Sequence, residues 1–317
     1  MSLSAALRSS NLLVSWKSTG RFQQTIAACV ELSGKGLHSG KLSTVRICPE
    51  LAGKGRFFDS HSISIPASID FVQHSPLSTS LFKDGVRIRT VEHLLSTLEA
   101  IGVDNCRIQI HNHSDSHDYD VEVPILDGSA RQWAEAIEKV GLTAAADEHG
   151  QNCEKLAPYL NEPVYVWKND AFVAAFPSPK VQITYGIDFP QAPTIGRQWV
   201  FVTPLEDSCY VKQISSSRTF CLFEEAEYMR ERGLIKGGSL DNAIVCSATN
   251  GWLNPPLHFY DEPCRHKVLD LIGDLSLFAR FGNQGLPVAH IVAYKGSCRS
   301  FLNIYGNIRN SNRENVI

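Results

Sequence analysis

One stretch of the sequence restricts the possible folds more than any other. Residues 261–278, DEPCRHKVLDLIGDLSLF, place apolar side chains over most of the surface of a predicted helix, which is typical of a buried element. His266, Asp270 and Asp274 nevertheless recur every four residues, and residues four apart lie on one face of an α-helix. This row of titratable side chains must therefore face either solvent or a lined cavity.

The composition is that of an ordinary globular protein. The chain has 317 residues, 43% hydrophobic and 20% charged, enough for one large domain or for two of about 150 residues. The net charge of -3 gives no basic excess of the kind that marks nucleic-acid binders. No apolar run approaches the roughly 20 residues that a transmembrane helix needs. The nine cysteines form no CxxC pair, so we expect reduced thiols in an intracellular protein.

The first residues differ in character from the rest of the chain. They include Arg8, Lys17, Arg21 and several serines, and no acidic residue precedes Glu31. Arg-rich, Ser-rich and acid-poor N-termini are typical of organellar transit peptides. We therefore expect residues 1–24 to be a transit peptide, with the mitochondrion as the preferred destination and the plastid as the rival. A disordered tail is the alternative interpretation.

Strand-like and helical patterns occur in both halves without strict alternation. The segment TVEHLLSTLEAIGVDN predicts a helix with Thr90 as its N-cap, and ARQWAEAIEKVGL predicts a second helix. The apolar period is lost near 143–155, which indicates a linker. This arrangement predicts an α+β protein with an N-terminal domain at 25–145 and a C-terminal domain at 146–296.

The helix in the N-terminal half carries Glu92 and His93 side by side in its first turn. Hydrolytic zinc sites use three protein ligands from His, Asp or Glu and keep a fourth position for water. His93, His266 and Asp270 would supply that set, and Glu92 is then the candidate base that removes a proton from the water. The alternative is that the row on the other helix is a solvated stripe.

A second group of potential ligands lies in HNHSDSHDYD. It contains His111, His113, Asp115, His117 and Asp118. Such a density could bind a divalent metal, but the segment follows a strand and has no partner on a second helix. We interpret it as a surface loop.

Five segments of the chain, in order, have the character of a known family. TVEHLLSTLEAIGVDN, EVPILDGSA, SSRTF, GLIKGGSLDNAIV and DEPCRHKVLDLIGDL together resemble the LpxC family, the zinc-dependent UDP-3-O-acyl-N-acetylglucosamine deacetylases of lipid A biosynthesis. The resemblance runs from about residue 22 to residue 295. It implies two similar domains, each a layer of helices on a sheet, with the active site between them. It also places the Zn²⁺ ligands on His93, His266 and Asp270 and the base on Glu92.

The resemblance implies roles for residues around the metal. Thr219 in SSRTF matches a threonine that donates to the oxyanion formed at the acetyl carbonyl, and Phe220 matches a ring that lies against the sugar. Lys267 is similar to a lysine near the nucleotide diphosphate. On their own, Thr219 would be a strand-end threonine and Lys267 an exposed helix lysine. The residues implied to line the substrate passage are Leu37, His38, Gly237, Gly238, Ser239 and 183–205.

The chain departs from the family after residue 296. The position of a histidine that protonates the leaving amine falls on Cys298, and the polar segment 297–317 lacks the closing helix. Asp274 matches the carboxylate that orients that histidine. Without the histidine, Asp274 is expected to be solvated, to be reassigned to another role or to be an orphan with no partner. A thiol is a weak hydrogen-bond donor, and His290 lies too far along its strand to replace the histidine.

Three functional classes follow from these observations. The first is a zinc amidohydrolase acting, as a monomer, on a UDP-linked acyl amino-sugar, with turnover lowered by about 10²–10⁴ where the general acid is lost. The second is an inactive relative that binds zinc or a nucleotide-sugar. The third, a purely structural module, would leave the polar row unexplained.

Overall fold

The computed structural model describes residues 13–73, 75, 77–112 and 119–296. The helices within these residues are α1 Glu92–Ile101, α2 Arg131–Val140, α3 Cys209–Gln213, α4 Phe223–Glu231 and α5 Glu262–Ser276, with a short 3-10 helix at Ile69–Phe71. Throughout this part of the chain, none of the helices has the length and apolar character needed to cross a membrane.

The strands fall into two groups along the chain. Those of the first half are β1 Val14–Phe22, β2 Gln24–Ile26, β3 Val30–Lys35, β4 Leu42–Pro49, β5 Arg56–Ser60, β6 Ile63–Pro66, β7 Val72–Gln73, β8 Ser80–Lys83, β9 Val86–Arg89, β10 Cys106–Asn112, β11 Asp120–Glu122 and β12 Leu142–Ala144. Those of the second half are β13 Glu154–Leu160, β14 Val164–Lys168, β15 Ala171–Pro177, β16 Gln182–Phe189, β17 Gly196–Val202, β18 Phe220–Leu222, β19 Ile244–Ser247, β20 Gly251–Trp252 and β21 Ala289–Tyr294.

Each half has its own sheets and its own apolar core, as the predicted α+β class requires. The first half pairs its strands in the orders β3-β4-β10-β5-β6 and β11-β9-β8-β7, and α1 and α2 pack on them. The second half has a five-stranded sheet of order β14-β15-β21-β16-β17, and α5 packs on it. The cores interlock because Leu277, just after α5, lies in the first core, and Ala130, just before α2, lies in the second.

The N-terminal strand belongs to the second half of the molecule. Strand β1 pairs antiparallel with β13, with Val14 opposite Leu160, and Leu13 and Val14 pack against the second core. The fold therefore begins before residue 25, the predicted start of the first domain. The burial of β1 does not alternate cleanly, so its sequence carried no strand signal. Residues 1–12 lie outside the described residues.

The predicted linker is shorter than its pattern suggested. Strand β12 pairs with β2 and ends at Ala144, and β13 begins at Glu154. Between them, Ala146 and Asn152 form an isolated bridge around a turn. The connection between the halves is therefore a compact hairpin-like turn.

The start of α1 differs from the prediction. Thr90 is not the N-cap, because Val91 occupies that position and makes no side-chain capping bond. Thr90 instead has a left-handed backbone, with φ of 59°, and its hydroxyl donates to Glu122 over 2.9 Å. The helix ends at Ile101, with Gly102 in a left-handed C-cap.

The prediction that all nine cysteines are reduced is wrong for one pair. Strands β3 and β4 pair with Val30 opposite Ile47, which places Cys29 and Cys48 opposite each other, and these two form a disulfide. The other cysteines of the described chain are free: Cys106, Cys153, Cys209, Cys221, Cys246 and Cys264.

Helices α1 and α5 cross at a glycine. A Cβ atom added at Gly273 would lie 2.1 Å from the backbone oxygen of Glu92, closer than any real side chain approaches. Glycine at 273 therefore lets the two backbones touch. This contact brings the first turn of α1 against the polar row of α5.

We expect Gly273→Ala to destabilise the protein by about 3 kcal/mol, because the added methyl group forces the two helices apart. Gly85→Ala is the matched control, since the same atom is added where nothing lies within 4 Å. The control should lose only the about 1–2 kcal/mol that a left-handed backbone imposes on alanine. Urea unfolding measures both values, and equal losses would contradict this account of the crossing.

Candidate metal centre and active site

Three side chains meet where α1 crosses α5. The ligand atoms of His93, His266 and Asp270 all lie within 4.8 Å of one another. Asp270 Oδ1 is 3.6 Å from Nε2 of His93 and 3.4 Å from Nε2 of His266. The two imidazole rings stand edge to face, with centroids 4.9 Å apart. Each half of the molecule thus contributes an imidazole to one cluster.

The orientation and charge of His266 suit a metal ligand. Its Nδ1 donates to the backbone carbonyl of Ser217 over 3.0 Å, which leaves Nε2 without a proton and directed at Asp270. Burial lowers the pKa of His266 to about 4, so the ring is neutral near pH 7. A neutral imidazole with a fixed tautomer is the form that binds a divalent ion.

Asp270 is ionised by its surroundings. Burial by itself would raise the pKa of Asp270, but the Lys267 ammonium, followed by His266, outweighs it and holds that pKa well below its usual range. Lys267 Nζ donates to Asp270 Oδ2 over 2.8 Å, so Oδ1 is the oxygen that faces the imidazoles. The same Nζ lies 5.9 Å from the centre of the Phe220 ring.

Glu92 lies beside the cluster but outside it. Its side chain is buried, and Oε2 accepts the backbone N–H of Thr79 over 3.0 Å. Burial, followed by the nearby Asp270 carboxylate, raises the pKa of Glu92 well above its usual range. A carboxyl group with raised proton affinity next to three potential metal ligands is suited to accept a proton.

Thr79 was not predicted from the sequence, although it contacts both flanking carboxylates. Besides its bond to Glu92, its hydroxyl donates to Asp274 Oδ1 over 2.6 Å. Asp274 is buried, so of the three alternatives left open the solvated one is excluded, and its Oδ1 has Thr79 as a hydrogen-bond partner. Thr79 lies in a connecting segment before β8, where no periodic pattern marks it.

Thr219 and Phe220 lie at the entrance to β18. The backbone N–H of Thr219 donates to Gly128 over 2.7 Å, and its carbonyl accepts from Ile244 over 2.8 Å, so the residue is held at both backbone ends. The Phe220 ring stands edge to face with His266 at a centroid distance of 6.5 Å. Phe220 therefore lies between the cluster and a cavity, and Thr219 lines that cavity beside it.

A cavity of about 360 Å³ opens beside Thr219 and Phe220. The predicted lining residues Leu37, His38, Gly238 and Ser239 all contribute to its wall. Most of the remaining wall is apolar and includes Leu77, Ala226, Met229, Ile235, Val245 and Leu253. Residues 183–205, predicted to belong to the same wall, do not line it; they form most of β16 and β17.

Two of the sequence predictions fall outside the described residues. Of the HNHSDSHDYD cluster, only His111 and Asn112 at its start and Tyr119 and Asp120 at its end are described, and His111 is exposed at the end of β10. His113, Asp115, His117 and Asp118 lie outside the described residues, as does Cys298. Among the residues that are described, His93, His266 and Asp270 are the group with metal-binding geometry.

A comparison with protein-family models gives a match over residues 23–307. The matching family is LpxC, described as UDP-3-O-acyl N-acetylglycosamine deacetylase. The match covers most of the chain and includes every described residue of the cluster and of the cavity wall. The chain belongs to the LpxC family.

Named relatives agree with this assignment. The chain is 64% identical over 282 residues, 89% of its own length and 86% of the relative's, to "Probable UDP-3-O-acyl-N-acetylglucosamine deacetylase 1, mitochondrial" of Arabidopsis thaliana. It is 45% identical to the UDP-3-O-acyl-N-acetylglucosamine deacetylase of Trichormus variabilis, covering 87% of this chain and 94% of that one. The corresponding protein of Thermosynechococcus vestitus is 44% identical, with coverages of 87% and 90%.

A further carboxylate supports the site of this LpxC-family chain and was not predicted. Glu122, buried at the end of β11, accepts the backbone N–H groups of His38 and Ser39, each over 2.9 Å. It also accepts the hydroxyls of Ser39 and Thr90, over 2.7 and 2.9 Å. Because Thr90 precedes α1, one carboxylate holds both the cavity turn 36–40 and the segment that leads into Glu92.

We expect Glu122→Gln to lower the free energy of unfolding by about 2 kcal/mol, because the amide nitrogen faces buried donors that then lack an acceptor. Glu135→Gln, on the exposed face of α2, is the matched control and should change stability by less than about 0.5 kcal/mol. Urea unfolding of the two variants measures the difference. If Glu122→Gln is as stable as the control, the carboxylate does not hold the turn.

Proposed function

We propose that this chain is a zinc-dependent amidohydrolase that removes acetate from UDP-3-O-acyl-N-acetylglucosamine in a lipid A-type pathway. The observation that carries the proposal is the cluster of His93, His266 and Asp270 beside a buried glutamate. The names of the relatives from Arabidopsis thaliana and Trichormus variabilis support the substrate and the reaction.

The geometry of the three ligands fits zinc. Ligands at about 2.0–2.2 Å in a tetrahedron are separated by about 3.4 Å. Asp270 Oδ1 lies 3.4 Å from the donor nitrogen of His266 and 3.6 Å from that of His93. Three ligands leave a fourth position for water, as in hydrolytic zinc sites. When bound, zinc would lower the pKa of that water and polarise the acetyl carbonyl.

Residues of this chain carry out the proton transfers. Glu92 accepts the proton as water attacks the acetyl carbonyl, and the N–H of Thr79 fixes the orientation of its carboxylate. The Thr219 hydroxyl donates to the oxygen on which negative charge develops. The nearby Asp274 carboxylate accepts a hydrogen bond from the Thr79 hydroxyl, and its negative charge stabilises a cation near the leaving amine.

Substrate binding divides between two parts of the site. We assign the acyl chain to the apolar cavity, where Leu37, Gly238 and Ser239 form part of the wall. The Phe220 ring, next to His266, would contact the sugar. Lys267, at the surface end of the cluster, would bind the diphosphate through its ammonium group.

Cys298 in place of a histidine weakens the last step. The leaving amine needs a proton, and a thiol is a poor donor compared with an imidazolium held by a carboxylate. We infer that turnover is reduced while metal binding is retained. The second candidate, an inactive relative that binds zinc or a nucleotide-sugar, rests on this same substitution.

We assign the protein to the mitochondrion, because close relatives in Arabidopsis thaliana carry that word in their names. A presequence compatible with the fold would end before Val14, since β1 pairs with β13. Residues 1–13 contain Arg8, four serines and no acidic residue, and this composition supports such a presequence.

Glu92→Gln should retain one zinc per chain, because the three ligands are unchanged. Its kcat should fall by about 10²–10⁴-fold, because the base is removed. His266→Ala should lose the metal as well as activity. His149→Ala, in an exposed turn, is the control and should change neither. Metal analysis and acetate release measure both effects. A His266→Ala protein with its full zinc content would refute the proposed site.

Cys298→His should raise kcat by about 10²–10⁴, because it restores a general acid where the resemblance places one. Acetate release from the two proteins, at equal zinc content, measures the ratio. Cys106→Ser, at a buried thiol remote from the tail in sequence, controls for the general effect of changing a cysteine. If the original chain already turns over as fast as the histidine variant, Cys298 is not a defect.

A further inference from the structure

The five-stranded sheet of the second half has an open face that the proposed reaction does not use. Along β21, Ala289, Ile291 and Ala293 point into the core, whereas His290, Val292 and Tyr294 alternate to the other side. The inner face packs against α5, which carries His266 and Asp270. The outer face is therefore directed away from the metal centre.

Large aromatic side chains cover this outer face. The exposed ones and their exposed fractions are Tyr165 at 72%, Trp167 at 70%, Phe176 at 44%, Trp199 at 47% and Phe201 at 56%. Phe172 and Tyr294, half-buried, complete what we call the outer aromatic face.

Strand register aligns part of this face into one continuous row. Trp167 is opposite Phe172, and their ring centroids are 5.7 Å apart. Phe172 is in turn opposite Tyr294, with ring centroids 6.1 Å apart. Gly186 separates Tyr294 from Trp199 in the register. The Trp199 ring lies over Gly186, where an added Cβ would be 2.7 Å from it, and stacks on Tyr294 at 5.4 Å. The row is therefore a packed, pre-ordered surface.

The size of this surface points to a protein partner. With about 150–250 Å² for each aromatic side chain, the exposed fractions leave about 600 Å² of aromatic area. That is at the upper limit of the largest apolar patch on a typical monomer, about 300–600 Å². It is also most of the about 800 Å² that each partner buries in a standard protein interface.

The charges at the rim argue against an anionic membrane as the occupant. Lys295 pairs with Asp170 over 2.8 Å and with Asp188 over 3.7 Å, and Arg197 pairs with Asp188 over 3.3 Å. Binding to anionic lipid needs a surplus of basic residues, whereas Lys295 and Arg197 are each paired with a carboxylate. A rim of paired opposite charges suits a protein surface.

One hydrogen bond shows on which side of the sheet the described chain reaches Gly296. The Tyr185 side chain lies in the core, and its hydroxyl donates to the carbonyl of Gly296 over 2.6 Å. The last described residue is thus tied to the inner side of the sheet.

We propose that the outer aromatic face is the interface between two copies of this chain. Like faces of two sheets pack about 10 Å apart, as in a β-sandwich, around a two-fold axis that places the same surface on both sides. The area then approaches that of a stable dimer. Because α5 lies on the other side of each sheet, both metal centres stay open. This proposal differs from the monomer expected from the sequence, and it does not depend on the proposed reaction.

Sedimentation velocity of the full chain, from micromolar to submillimolar concentration, tests the proposal. The unmodified chain should sediment as a dimer. Trp167→Ser combined with Phe201→Ser should sediment as a monomer, with the dissociation constant raised by about 100-fold or more. Tyr260→Ser, at an exposed aromatic residue outside this sheet, is the matched control and should remain dimeric.

A second variant guards against an effect on folding. Ala174 lies on the same face between Tyr165 and Val292, so Ala174→Arg adds a charge there and removes no ring. It should also be monomeric, with circular dichroism and zinc content unchanged. A chain that is monomeric at every concentration would overturn the proposal, and so would variants that remain dimeric. Vesicle binding by a monomeric chain, lost in the double variant, would assign the face to a lipid surface instead.

Discussion

The contact between α1 and α5 at Gly273 is the constraint on which the site depends. Backbone meets backbone there, so the separation of the helices is set without any adjustable side chain. Each helix belongs to a different half, and each core includes one residue from the other half. The position of His93 relative to His266 is therefore fixed by the packing of the whole molecule.

The row that holds two of the candidate metal ligands could be predicted because helix geometry is local. Residues four apart must share a face, so the placement of His266, Asp270 and Asp274 followed from spacing alone. The meeting of that row with His93 was a hypothesis that needed tertiary structure. Thr79 could not be predicted, since it acts from a connecting segment through contacts distant in sequence. The cap assigned to Thr90 was wrong because Glu122 competes for its hydroxyl.

Sheet order is the other property that single strands do not reveal. The sequence predicts strands in the second half, but an aromatic row arises only when β14, β15, β21, β16 and β17 lie side by side. The disulfide likewise depends on the register of β3 with β4. In both cases the sequence around each residue does not predict the contact, because the contact depends on which strand lies alongside and in which register.

The pairing of β1 with β13 has a consequence for how the protein is made. A ribosome releases Val14 long before Leu160, its partner in the ladder, so the first strand has no edge to join while the first half is being synthesised. The N-terminal segment thus remains an unpaired, extended chain until about half of the polypeptide has emerged. For the proposed mitochondrial presequence, that delay would mean access to the targeting machinery throughout translation of the first half.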